Sequence, residues 1–302
     1  MKRNCLVSLL LLVFFFSSCK EEETEFSVNS CSVNPPFVES LGYEPQFAYF
    51  STSDIRTMGL VLNQSKQKGN PASPVEKSYQ HPSWRKAGWL APIQLDNKGN
   101  LFTAPAPFIN VLNNPIAGQN TIWKVNGSTG VMDPFIALPM PDTSLQHPFG
   151  IIGLAFLCET NTLYASTLAG SDRLYERGGI YAIDAVTGKI TDQLMATDAM
   201  GMGISYITGK RCLYYGTGRS SDVFSVELDS KGRFSGKPEK VFSIAGMGPS
   251  GDDKVRRIRT DNMGNLFVYG MSFNYNLIPQ REKKETVYSF LYDAGSESWI
   301  SK

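Results

Sequence analysis

The sequence predicts an all-β fold, a β-propeller of four-stranded blades, five in number with six as the alternative. Three observations carry that prediction. A turn is written twice, as Asp96-Asn97-Lys98-Gly99-Asn100-Leu101-Phe102 and as Asp261-Asn262-Met263-Gly264-Asn265-Leu266-Phe267. Each copy lies between two alternating apolar runs, so each reads as a β-hairpin tip in which Asn and Gly take up the positive φ of a tight reversal. A motif that returns at such a distance marks a repeat architecture. Second, Phe47-Ala48-Tyr49, Leu101-Phe102-Thr103, Leu163-Tyr164-Ala165, Leu213-Tyr214-Tyr215 and Leu266-Phe267-Val268 align as one strand of successive units, 54, 62, 50 and 53 positions apart. Spacing near ~50 suits the looser blade families. Third, no window shows a helical period, and short β-rich runs bounded by Gly, Asn and Pro continue to the end.

The chain opens with Lys2 and Arg3, an apolar run from Leu6 to Phe16, and Ser17-Ser18-Cys19. These are the charged, apolar and small-residue zones of a secretory signal, 1–18, and the run is shorter than the about 20 residues of a membrane span. Phe16-Ser17-Ser18-Cys19 resembles the bacterial lipobox, which implies a lipid on Cys19 and attachment to the outer membrane, on its periplasmic or its outer side. Residues 19–42 read as an acidic tether. Lys20 with Glu21, Glu22 and Glu23 resembles the surface-export signal of Bacteroidetes lipoproteins; a plain solvated linker is the other reading. Within the tether, 26–38 is a candidate strand for closing the ring against the C-terminal unit.

The propeller domain is expected over 43–302. Its first unit offers strands at 47–51 and 58–62 but no obvious inner strand. The third unit shows the full pattern: Gly153-Leu154-Ala155-Phe156, then Leu163-Tyr164-Ala165-Ser166, then Gly179-Ile180-Tyr181-Ala182-Ile183-Asp184, turning at Thr187-Gly188-Lys189 into an outer strand. The fourth repeats it with Gly203-Ile204-Ser205-Tyr206, 212–215, 222–226 and 240–243. Near-continuous apolar runs fit sheets buried on both faces.

Composition narrows the function. Net charge is +1, which gives no basic field for nucleic acid. Of five cysteines, Cys5 leaves with the signal and Cys19 carries lipid, leaving Cys31, Cys158 and Cys212. That odd, widely spaced set is a poor disulfide framework and lacks zinc spacing, so Cys158 and Cys212 are expected as buried thiols.

Pro148-Phe149-Gly150-Ile151 leading into Gly153-Leu154-Ala155-Phe156, together with the repeated turns, resembles the NHL, TolB-like and regucalcin or gluconolactonase-like propellers over roughly residues 90–300. The lactonase resemblance implies one divalent cation held by a Glu, an Asn in a Pro-Asn-Gly turn and an Asp after a later second strand. Here the matching turns are Pro148-Phe149-Gly150 and Met202-Gly203, without Asn, and Ser166 and Thr217 stand where the family has Asp. No cofactor is therefore expected; a divalent cation belongs only to the alternative of a divergent lactonase or other hydrolase.

The two histidines recur in one tripeptide, Gln80-His81-Pro82 and Gln146-His147-Pro148, ahead of inner strands. His81 and His147 are a candidate metal pair, against the plainer reading of a shared turn with no third ligand. The long connections that propellers gather on one face carry the remaining candidates. They are Trp84, Arg85 and Trp89 in 81–90, Phe108 in 104–120, Arg173 and Tyr175 in 167–178, and Phe273 and Tyr275 in 272–285. Apolar platforms beside charged groups suit a ligand site; the same aromatics could instead plug the mouth of the ring. The sequence thus points to a non-catalytic, lipid-anchored module that binds a glycan, a peptide or an envelope protein.

Overall fold

Alternating side chains decide how each strand is used here. The computed structural model describes residues 32–302 apart from 54–55, 69–72, 107–113, 116, 145, 262 and 277–284. In blade 3, β8 (Ile151–Leu157), β9 (Thr162–Thr167) and β10 (Gly179–Asp184) are buried almost throughout and β11 (Ile190–Met195) is the outer edge. Leu154, Phe156, Leu163, Ala165, Tyr181 and Ile183 pack towards the preceding blade. Their neighbours Ala155, Leu157, Tyr164, Ile180 and Ala182 pack towards the following one. A sheet sandwiched on both faces needs apolar residues at odd and even positions, which is why Ile151-Ile152-Gly153-Leu154-Ala155-Phe156-Leu157 shows no alternation.

The other blades repeat the scheme in strand order. Blade 2 is β4 (Leu90–Leu95), β5 (Leu101–Pro105), β6 (Thr121–Val125) and β7 (Met132–Ala137). Blade 4 is β12 (Ala199–Ser205), β13 (Cys212–Thr217), β14 (Asp222–Leu228) and β15 (Phe234–Ser243). Blade 5 is β16 (Lys254–Thr260), β17 (Leu266–Met271), β18 (Thr286–Asp293) and β19 (Ser298–Ser301). Blade 1 has three strands among the described residues, β1 (Ala48–Ser51), β2 (Val61–Ser65) and β3 (Val75–Tyr79). The five sheets form the ring of a five-bladed β-propeller. Four of the aligned tripeptides fall on the second strands β5, β9, β13 and β17, whereas Phe47-Ala48-Tyr49 falls on β1, the first strand of its three-stranded sheet. The six-bladed alternative is therefore set aside.

Inner strands approach closely because glycine removes the obstruction. A Cβ on Gly153 would lie 2.4 Å from the Met200 carbonyl oxygen, and one on Gly201 2.5 Å from the Arg257 amide nitrogen. Four apolar clusters fill the junctions of blades 1 and 2, 2 and 3, 3 and 4, and 4 and 5. No such cluster of described residues joins blade 5 to blade 1, and Val287, Leu291 and Ile300 of blade 5 are exposed.

The repeated turns are hairpin tips, but glycine and aspartate divide the work. Gly99 and Gly264 have φ of +76° and +84°. Asp96 Oδ1 accepts from the Lys98 and Asn100 amides, both at 2.8 Å, and Asn100 donates its side-chain amide back to Asp96 Oδ2 at 2.7 Å. Asp261 and Asn265 repeat this pattern at 2.9 Å. Asn100 and Asn265 close the loop and are not at positive φ; Asn262 lies outside the described residues.

Three expectations for the ends and cysteines change. Residues 36–40 form a short helix, α1 (Pro36–Ser40), whose Phe37 and Val38 are buried in the cluster between blades 1 and 2, so packing begins ahead of residue 43. The candidate closing strand is coil and helix where it is described, and 1–31, including the signal and Cys19, lie outside the described residues. Cys158 is disulfide-bonded, while Cys212 is a buried free thiol. Counting cysteines missed the bond because a single crosslink leaves no spacing signature.

Candidate functional site

A side-chain network that draws on three blades surrounds Asp198, the residue ahead of β12. Its carboxylate is fully buried. Oδ1 accepts from Ser171 Oγ at 2.5 Å and the Gly178 amide at 3.1 Å, and Oδ2 from Tyr275 Oη at 2.5 Å. Arg219 Nε stands 3.3 Å from Oδ2, an ionic contact without hydrogen-bond alignment. A buried carboxylate persists only with such partners. They come from three blades: Ser171 and Gly178 from the β9–β10 connection, Arg219 from the β13–β14 connection, and Tyr275 from the β17–β18 connection.

Glycine makes room for the network. A Cβ on Gly178 would lie 2.7 Å from Asp198 Oδ1, and one on Gly218 3.1 Å from Tyr275 Oη. Tyr275 itself holds φ of +52°, a conformation that costs a non-glycine residue about 1 kcal/mol or more. Its hydroxyl bond and ring packing offset that cost. Burial, followed by donation to Asp198, pushes the Tyr275 phenol well above its ordinary pKa, so it stays a neutral donor.

The network fastens the β9–β10 connection. Arg219 lies over the Tyr275 ring and donates to the Asp172 carbonyl at 3.1 Å and the Arg173 carbonyl at 3.4 Å. Glu176 accepts from the Asp198 amide at 2.8 Å. Asp172 Oδ1 accepts from the Leu174 and Tyr175 amides at 2.7 and 2.8 Å, and these bonds, Tyr175 first, hold its carboxyl below the usual range. Arg173 reaches blade 5 through Nε to the Asn274 carbonyl, 3.3 Å away. On this pinned loop Leu174 and Tyr175 are 81% and 57% exposed, with the Arg177 guanidinium 5.4 Å from the Tyr175 ring centre.

Of the residues singled out from sequence, Arg173, Tyr175, Phe273 and Tyr275 come together. Phe273 and Tyr275 pack against Phe149, Ile152, Leu168 and Met200 over the ends of β8 and β12, so part of this aromatic set is a plug. The others lie elsewhere. Trp84 is completely buried between blades 1 and 2, edge-on to Phe37, Phe50 and Tyr79, with Nε1 donating to the Gly130 carbonyl at 2.7 Å. It is a core residue: the turn Pro82–Arg85 folds inward as a wedge instead of outward as a loop. Arg85 is exposed and bonds to Gln80; Trp89 is half-buried, its backbone held by Asn114. Phe108 lies outside the described residues. His81 caps the Pro82–Arg85 turn through Nδ1, whereas His147 Nδ1 faces the Ser171 carbonyl at 3.4 Å, so each has its own local setting. Among the described residues no group of three or more His, Cys, Asp or Glu is placed to hold a metal.

Sequence reading missed Asp198, Ser171, Arg219 and Glu176. Gly178-Gly179 between a polar loop and an apolar strand was the available signal. It also missed a cleft of about 470 Å³ on the same face, between the β5–β6 and β7–β8 connections, lined by Gly118, Gln119, Asn120, Met140, Pro141 and Asp142.

Comparison with known proteins agrees with the architecture. A crystal structure of a protein from Lactobacillus plantarum superposes with a TM-score of 0.52 at 11% identity, over 84% of this chain and 65% of that one. The fold is shared. This chain spans just under two thirds of that protein's length. Weaker likenesses include a nidogen/laminin complex (TM-score 0.44, 9% identity, 80% and 88% covered) and a thermostable family-43 glycoside hydrolase (0.40, 12%, 70% and 70%). Scores at that level carry no argument about function. No protein-family model matches the sequence, and no curated protein is similar to it.

Proposed function

We propose that the protein is a lipid-anchored cell-envelope propeller whose loop-rich face binds a glycan or a peptide without turning it over. The observation that carries the reading is the rigid presentation of Leu174 and Tyr175. The network around Asp198 commits its carboxylates and Arg219 to one another and to backbone, and the result is an exposed apolar tip flanked by Arg173 and Arg177. Preorganised aromatic and Arg contacts are what binding surfaces concentrate, because their ordering cost is met before the partner arrives.

The anchor reading rests on 16–19, outside the described residues, and fits the chain path. Val33 donates to the Asp96 carbonyl at 3.2 Å, and Pro35 lies against Gly99. The described chain therefore begins at the β4–β5 turn, on the face opposite the β5–β6 and β9–β10 connections. A lipid tether leaving there presents the loop face away from the membrane. Among the described residues no helix is long and apolar enough to cross a bilayer.

The test is retention of the full-length chain on glycan and peptide arrays, with Leu174→Ser plus Tyr175→Ser as the variant. Losing an aromatic anchor of about 2 kcal/mol should weaken binding ~30-fold. Unchanged retention, or divalent-metal-dependent lactone hydrolysis by the wild type, would overturn the reading. In parallel, Cys19→Ala should move the protein from the detergent to the aqueous phase.

A further inference from the structure

We propose that the cleft between blades 2 and 3 is a subsite for a neutral, hydroxyl-rich sugar unit at the end of a glycan. The proposal rests on the reading of the loop face as a binding surface and names the chemistry that part of it recognises.

The cleft, about 470 Å³, has the size of small-ligand sites. Gln119 decides its preference. The residue is 3% exposed, and its Oε1 is buried without a hydrogen-bond partner. Its amide orientation is set by Nε2 donating to the Pro115 carbonyl at 3.3 Å, so the orphan is an acceptor. Such an acceptor is costly to leave unsatisfied, and Gln119 lines the cleft, so a ligand hydroxyl completes it once a small turn of the side chain uncovers Oε1. The backbone keeps it in place: a Cβ on Gly150 would lie 2.4 Å from the Gln119 carbonyl oxygen, so blade 3 closes directly on this residue.

The rest of the lining sorts ligands by charge. Asp142 is exposed at the rim, no Lys or Arg is among the described lining residues, and Asn120 spends its side-chain amide on the Leu138 carbonyl at 3.1 Å. The described wall thus carries one carboxylate, the Gln119 acceptor and the Thr143 hydroxyl, a set that repels phosphate or carboxylate and suits hydroxyl groups. An ammonium group would meet one exposed carboxylate, a contact that solvent screens strongly. Met140 and Pro141 supply an apolar side suited to the C–H face of a sugar ring. Continuity with the candidate binding face is direct: Met140 sulfur accepts from Thr167 Oγ1 at 3.1 Å, and Pro141 lies against Gly170 at the base of the β9–β10 connection.

The experiment uses the full-length chain in detergent, saturation-transfer NMR and calorimetry. The probes are neutral mono- and disaccharides at millimolar concentration, with a lysine dipeptide and inorganic phosphate as contrasting arms. At least one saccharide should bind, Asp142→Ala should weaken it severalfold without changing the thermal midpoint, and Gln119→Leu should weaken it tenfold or more. Absence of saccharide binding, binding indifferent to both variants, or preference for the dipeptide or phosphate would overturn the proposal. Loss of binding with Leu174→Ser plus Tyr175→Ser, while Gln119→Leu and Asp142→Ala bind normally, would sink this subsite and leave the wider reading standing. The reverse pattern would sink the exposed tip and support the subsite.

Discussion

Removing the Asp198 carboxylate should be among the costliest single changes to this protein. Asp198→Ala strips the acceptor from Ser171 Oγ, Tyr275 Oη and the Gly178 amide, and the ionic partner from Arg219. Breaking a buried ion pair on one side costs about 3–5 kcal/mol. Arg219 keeps Glu176 at 3.5 Å and is partly solvent-exposed, so a figure near the lower end is expected, about 3 kcal/mol. At ~2–4 °C per kcal/mol for a domain of this size, the thermal midpoint should fall by roughly 6–12 °C. Asp198→Asn, which keeps one acceptor oxygen, should lie between wild type and Asp198→Ala. Circular dichroism against temperature and urea reads both, and hydrogen exchange should accelerate first across 171–178. An Asp198→Ala variant within about 1 kcal/mol of wild type, or one more stable than Asp198→Asn, would refute the account of the network as a strut joining three blades.

Other perturbations test separate parts of the argument. Gly264→Val forces a β-branched residue to a φ of +84° with its Cβ 2.9 Å from that of Ile207, and should destabilise by about 1–3 kcal/mol in urea titration; Gly99→Val should behave alike. The Asp172 cap should fail only in acid. Its folded pKa lies below the unfolded value of about 3.9, so its contribution is complete above that pH and disappears as pH falls through the folded value, which exchange rates of the Leu174 and Tyr175 amides would show. Unfolded under non-reducing conditions, the chain should yield a maleimide adduct at Cys212 and none at Cys158 until a reductant is added.

The fold was legible because its punctuation is local. Asp96, Gly99 and Asn100 build a turn from contacts within five residues, and Asp261, Gly264 and Asn265 build it again. The site was only half legible because its bonds are not local. Ser171, Asp198, Arg219 and Tyr275 occupy four different connections, and nothing in their immediate neighbours records that they meet. Trp84 misled for a related reason: a tryptophan between His81-Pro82 and Gly88 has the local chemistry of a loop, and only the packing of Phe37 and Phe50 shows that the loop is folded inward. Tyr275 shows the converse, since its ring joins the plug while its hydroxyl organises the polar network beneath the exposed tip.

Among the described residues four apolar seams join successive blades and none joins blade 5 to blade 1, so their packing runs like a line bent into a circle. Each blade then draws its stability from its sequence neighbours, as stacked units do in a solenoid. Blades 2, 3 and 4 have apolar seams on both sides, and blade 3, at the middle of the row, should be the slowest to open, while blades 1 and 5 should breathe first. The strut through Asp198 ties blade 5 back to blades 3 and 4 at one end of that line. A partner that clasped the loop tip would therefore stiffen the terminal blade from which the strut's tyrosine is drawn, without touching the seam itself.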